Sequence, residues 1–166
     1  ENISAMFGAL VQGGATVLTF TLPDLSQVIP LARRLTPRVK ELNDAIRETA
    51  GHTGARCVDL ASYPVCGDPR LWSDDRLHAN SEGHTRIAAA LASALGIGLD
   101  EEWGIPYADP WNPSPAARAI SDGRWGHKYL LPWVLRHAVG RSSGDGRSAK
   151  RPVLTPVLPR TVPVNR

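Results

Sequence analysis

The chain has 166 residues, 42% of them hydrophobic and 21% charged, the make-up of a single globular domain rather than a disordered, fibrous or membrane-embedded protein. No apolar run reaches the ~20 residues that cross a bilayer, and the first residues carry neither the basic flank nor the apolar block of a secretion signal. The formal charge of +3 is uneven: from Arg136 onward seven basic residues face Asp145 alone, leaving residues 1–135 with 12 basic and 15 acidic side chains, or −3.

The chain opens inside an amphipathic pattern. Ile3, Met6, Phe7, Leu10 and Val11 recur at helical spacing, which predicts a helix that Gly13-Gly14 ends. The β-branched and apolar run Thr16–Thr21 predicts a buried strand closed by Pro23 and Asp24, followed by a loop or short helix over Leu25–Leu35. Thr36 then reads as the cap of a helix with Pro37 in its first turn. Val39, Leu42, Ile46 and Ala50 form its buried stripe, Arg47 and Glu48 point outward, and Gly51 and Gly54 terminate it.

Ala55–Leu60 predicts a second buried strand, and a long polar loop follows from Ala61 to Asp75. The next helix spans Ser81 to Leu95, with Ile87, Leu91, Ala94 and Leu95 inward and Gly96 beyond its end. Two strands, each followed by a helix, imply an α/β fold with a parallel sheet covered by helices. Two strands do not make a stable doubly wound sheet, so further strands are expected upstream of Glu1, in a longer polypeptide. Cys57 and Cys66 are too few for a disulfide framework and lack metal-ligand spacing. A single bridge between them stays open, and Cys57, in an apolar run, reads as a buried thiol. Without a secretion signal, the expected location is cytoplasmic.

The expected organisation is a domain portion over residues 1–97, a Trp/Pro-rich helical extension over 98–139 and a basic, Pro-rich tail over 140–166. The extension carries Trp103, Trp111, Trp125, Tyr129 and Trp133 among Pro106, Pro110, Pro113 and Pro115, with helices near Pro115–Ser121 and Trp125–Val139. Its tryptophans serve best as pins that hold it to the body, with an acyl or sugar pocket as the alternative. The tail has no aromatic interleaving and contains Pro152, Pro156, Pro159 and Pro163. It reads as solvated and extended, and no nucleic-acid partner is expected.

Chemistry concentrates in Asp75-Arg76-Leu77-His78-Ala79-Asn80 and the following Ser81-Glu82-Gly83-His84. An imidazole activates a hydroxyl best when a carboxylate fixes its tautomer and stabilises its cation, and Asp75 stands three residues before His78. Both fall in the loop after the second predicted strand, where open parallel sheets gather their sites. Asn80 or Ser81 would cap the next helix and anchor the imidazole. Asp74 is an alternative partner for His78, and the pair could instead be a surface ion pair at a helix start. His84 reads as structural. A zinc site from Asp75, His78 and His84 would need a further ligand, and Asp24 reads as a turn residue.

The block Asp75-Arg76-Leu77-His78-Ala79-Asn80-x-x-Gly83-His84 resembles the last conserved block of the SGNH hydrolases, also called the GDSL esterase/lipase family. The likeness extends more loosely over residues 1 to about 97. It implies a three-layer α/β/α, flavodoxin-like fold, of which this chain would hold the C-terminal part. It also implies a Ser-His-Asp triad without metal or organic cofactor, with His78 as general base and then general acid, Asp75 as its orienting partner, and a small-molecule or lipid ester as substrate. The family's Gly-Asp-Ser nucleophile block and its oxyanion segments are absent from these 166 residues. Ser143-Gly144-Asp145-Gly146 lies on the wrong side of His78, with no serine after the aspartate. The chain by itself is therefore expected to be catalytically incomplete. The rival expectation is a non-enzymatic binding module that uses the Trp-rich extension and basic tail.

Overall fold

The computed structural model describes residues 2–29, 32–97, 101–142, 144–149 and 152–153. The basic tail from residue 154, together with Ser143 of the Ser143–Gly146 stretch, lies outside the described residues. Among the described residues, five α-helices and a two-stranded parallel sheet make a mixed α/β arrangement. No helix among the described residues is long and apolar enough to cross a membrane.

Helix α1 (Asn2–Gln12) ends in the Gly13-Gly14 turn, and strand β1 (Leu18–Phe20) follows. Phe7 is the buried residue of α1, whereas Met6 and Leu10 of the expected stripe are exposed. Helix α2 (Thr36–Thr53) returns the chain to strand β2 (Arg56–Val58), which pairs parallel to β1 with Leu18 opposite Arg56 and Phe20 opposite Val58. The strands are shorter than the runs that predicted them. Beyond Phe20, Asn43 of α2 takes both backbone groups of Leu22, accepting from its N–H at 2.7 Å and donating to its carbonyl at 2.8 Å. Beyond Val58, Leu60 begins a 3-10 turn.

Thr36 is the first helical residue of α2 and not its cap. A 3-10 turn at Ala32–Arg34 leads straight into the helix, and Leu35 already has near-helical torsions and bonds to Ala32 at 2.8 Å. The buried stripe is Asn43, Ile46 and Ala50, while Leu42 is exposed. The helix runs through Gly51 and closes at Gly54. There φ is +78° and the N–H reaches back to Ala50, a left-handed cap that glycine adopts without steric penalty.

Helix α3 spans Ser81–Leu95 as expected, with Gly96 past its end. Its inner face packs Ala90, Ile87, Leu91 and Ala94 against Val58, Leu60, Cys66 and Trp103. Leu95 is exposed. Trp103 is buried against Tyr63, with ring centroids 4.3 Å apart, and Arg86 of α3 donates to the carbonyls of Trp103 and Ile105.

Helices α4 (Pro115–Trp125) and α5 (Leu131–Ala138) form one continuous helical run, joined by a π turn at Gly126–Leu130. Pro132 explains the widened turn. It has no N–H to offer, and its ring would strike the carbonyl four residues back, so Leu131 bonds to Gly126 across a wider loop. No residue of α4 or α5 is buried.

Candidate active site

The loop after β2 carries the expected residues. It passes through 3-10 turns at Pro64–Gly67 and Pro69–Leu71, then folds back on itself. Trp72 bridges Ala79 in antiparallel fashion, and the Ser73 N–H donates to the His78 carbonyl at 2.8 Å. Residues 74–77 form the tip.

Asn80 anchors the base of this fold-back. Its Oδ1 accepts from the Gly83 N–H at 3.0 Å, which caps α3, while its Nδ2 donates to the Arg70 carbonyl at 2.7 Å and its own N–H bonds to Leu71. Of the two caps left open by the sequence, Asn80 is the one used. Gly83 completes the seat: a Cβ there would stand 2.3 Å from the Leu71 carbonyl oxygen. The helix start and the loop therefore meet backbone to backbone.

At the tip, His78 Nδ1 lies 2.6 Å from Asp75 Oδ2. The other carboxylate oxygen accepts the backbone N–H groups of Leu77 and His78, each at 3.0 Å. Burial pushes the Asp75 carboxyl up, but the bonds from the His78 ring and from these two amides outweigh it and hold the group below the usual carboxylate range. Asp75 is thus an anionic acceptor at neutral pH, and it selects the tautomer that carries its proton on Nδ1 and leaves Nε2 basic. The His78 side chain is 79% exposed. Among the described residues its ring hydrogen-bonds to Asp75 alone. Asp74, the other candidate partner, is 88% exposed and faces Lys128 at 3.8 Å.

Arg76 holds an unusual torsion for a residue with a side chain, φ +63°, a conformation that costs on the order of 1–3 kcal/mol. Three residues of α4, Ser121, Asp122 and Trp125, meet this turn. Trp125 donates its indole N–H to the Asp75 carbonyl at 2.9 Å, and Asp122 accepts from the Arg76 guanidinium at 2.7 Å. These contacts cross 50 and 46 positions of chain, and no local pattern announces them. A cleft of about 910 Å³ opens beside these contacts, with Arg33, Arg70, Trp72, Asp74, Arg118 and Trp125 among its walls.

The other candidates stand apart. His84 lies on the exposed face of α3, and Asp24 accepts from Ser26 N–H in a local turn. Cys57 and Cys66 are free, half-buried thiols, and burial pushes both up. Among the described residues no group of three or more His, Cys, Asp or Glu is placed to hold a metal ion. A second polar cluster went unread in the sequence. Fully buried Thr21, just after β1, donates to Asp59, just after β2, at 2.7 Å, and Arg47 of α2 adds a bond of 2.7 Å to the same oxygen. Burial alone would raise Asp59, but the bonds from Arg47, Ser62 and Thr21 hold it down at about 2.

A hydrogen-bonded carboxylate and imidazole, set in a loop that leaves the end of a parallel strand, are a part shared by many hydrolases. The family model described as the GDSL-like lipase/acylhydrolase family matches residues 1–86, and the chain belongs to that family. Membership places it among hydrolases of the esterase and acylhydrolase type. Comparison with curated proteins and with solved structures found no match.

Proposed function

We propose that the chain is the C-terminal part of a serine ester hydrolase, in which Asp75 and His78 complete a Ser-His-Asp triad. A serine from outside residues 1–166 supplies the nucleophile. His78 Nε2 takes its proton as Oγ attacks the ester carbonyl carbon, and Asp75 stabilises the resulting imidazolium. The imidazolium then protonates the departing alkoxide. Water, activated by the same nitrogen, attacks the acyl-enzyme, and the imidazolium returns its proton to the serine Oγ as the acid leaves, with no metal or organic cofactor in the cycle. The substrate is a small-molecule or lipid ester. Residues 1–97 form the C-terminal part of a three-layer α/β/α fold, and residues 98–139 are an extension that packs on it.

The observation that carries this reading is the 2.6 Å contact between His78 Nδ1 and Asp75 Oδ2 on a ring otherwise open to solvent. Phe20, at the end of β1, and Leu22, beyond it, are 36% and 40% exposed, apolar surface that a parallel sheet covered on both faces would bury, which agrees with a larger domain. The test is p-nitrophenyl ester hydrolysis by the full-length gene product. His78→Ala is expected to abolish nearly all turnover with the fold retained. An unchanged rate, or an encoded protein with no glycine-flanked serine upstream, overturns the assignment.

A further inference from the structure

We infer that Trp125 and Asp122 of α4 are positioning residues for the Asp75–His78 pair: by gripping the Asp75–Arg76 peptide from outside, they keep Arg76 left-handed and the carboxylate aimed at Nδ1. The inference rests on the proposed hydrolase reading for its kinetic consequence, though not for its structural one.

Nothing but Asp75 bonds to the His78 ring among the described residues, and 79% of that side chain is exposed. The precision of the imidazole is therefore inherited from the carboxylate. Asp75 in turn makes its remaining bonds to the amides of Leu77 and His78, on the far side of Arg76. Its direction consequently depends on the backbone at Arg76, the one described non-glycine residue with positive φ. Such a torsion persists only when the surroundings enforce it.

The enforcement comes from one face of α4. Trp125 Nε1 donates to the Asp75 carbonyl at 2.9 Å, before the strained residue. Asp122 Oδ1 and Ser121 Oγ accept from the Arg76 guanidinium at 2.7 and 2.8 Å, and that guanidinium lies 5.4 Å from the Trp125 ring centroid. Arg76 is 14% exposed in this grip, although α4 contributes no buried residue to any core. Ser121, Asp122 and Trp125 share a helix face by their spacing. At this point the helix contributes polar bonds to the turn and not apolar packing.

Two measurements test the inference. In the full-length hydrolase, Trp125→Phe and Asp122→Ala should each lower kcat about tenfold to a hundredfold, with KM nearly unchanged, as for other small losses of catalytic geometry. In an Asp75→Asn background the same changes should cost nothing further, because the carboxylate they aim is gone. Unchanged kcat in the single variants, or an equal loss in the Asp75→Asn background, overturns the inference. The second measurement needs no activity: imidazole nitrogen resonances of His78 in the full-length protein, in mildly alkaline solution. The wild type should show the Nδ1–H tautomer, and Trp125→Phe should move it toward a mixture. An unmoved tautomer refutes the grip even if the hydrolase reading holds, and an active His78→Ala enzyme refutes that reading while this arm still decides the grip.

Discussion

Thr21 and Asp59 stand one residue beyond β1 and β2 and are joined by a 2.7 Å hydrogen bond, Oγ1 to Oδ1, that ties the carboxyl ends of the two strands together. The Thr21 hydroxyl also accepts from the Ala61 N–H at 2.9 Å. Thr21→Val preserves shape but orphans that amide and removes a donor from Asp59. It should cost about 1–3 kcal/mol in urea unfolding.

Asp59 makes the stability of this cluster pH-dependent. Its folded value of about 2 lies below the ordinary 3.8, so folding favours the ionised form. The contribution is fully present above about pH 4 and fades as pH falls through about 2. Arg47 and Asp59 are 38% and 36% exposed, so solvent screening keeps the effect small. Unfolding midpoints for wild type and Asp59→Asn should converge at the acid end and separate above it. Parallel curves would contradict the linkage.

Asn43 imitates a strand neighbour for Leu22, with bonds of 2.7 and 2.8 Å to its N–H and carbonyl. Asn43→Ala leaves both backbone groups without that partner and is expected to cost about 1–3 kcal/mol. Hydrogen exchange at the Leu22 amide should rise, since that proton has its bond from this side chain.

Two glycines should respond in opposite directions. Gly83→Ala places a methyl 2.3 Å from the Leu71 oxygen, so the start of α3 must move off the loop, at a cost of about 1–3 kcal/mol. Gly51 is an exposed interior position of α2 with nothing within 4 Å of a new Cβ, and Gly51→Ala should stabilise by about 0.5–1 kcal/mol. Thermal melts of the pair decide both.

Asp75→Asn should reduce kcat of the full-length protein by about 10³–10⁴-fold, because an amide can present its N–H₂ to Nδ1 and so hold the wrong tautomer. Since the folded Asp75 carboxyl lies below its ordinary range, its protonation removes stability only as pH drops below that range. Ester hydrolysis near neutral pH therefore reports the substitution without interference from Asp75 titration.

Much of α3 was legible because its signals are local. Asn80, Gly83 and Gly96 act within a few residues of the helix ends, and Asp75 reaches His78 within one turn. The parallel pairing of β1 and β2 was legible for a related reason: an intervening helix leaves little other choice. The departures are of other kinds: Leu42 and Leu95 fit the apolar stripes yet are exposed, Thr36 is helical where it reads as a cap, and Arg47, 38% exposed as its outward reading has it, also reaches Asp59.

From its own residues the chain determined its helices, its strand pair and the closeness of one acid to one imidazole, since each follows from periodicity, capping or a three-residue reach. Tertiary structure alone decided that Asn43 would stand in for a strand, that Thr21 and Asp59 would meet, and that α4 would reach the turn at Arg76. Those contacts join residues 21 to 50 positions apart. Their geometry depends on how whole elements pack, a property that no short window of sequence contains.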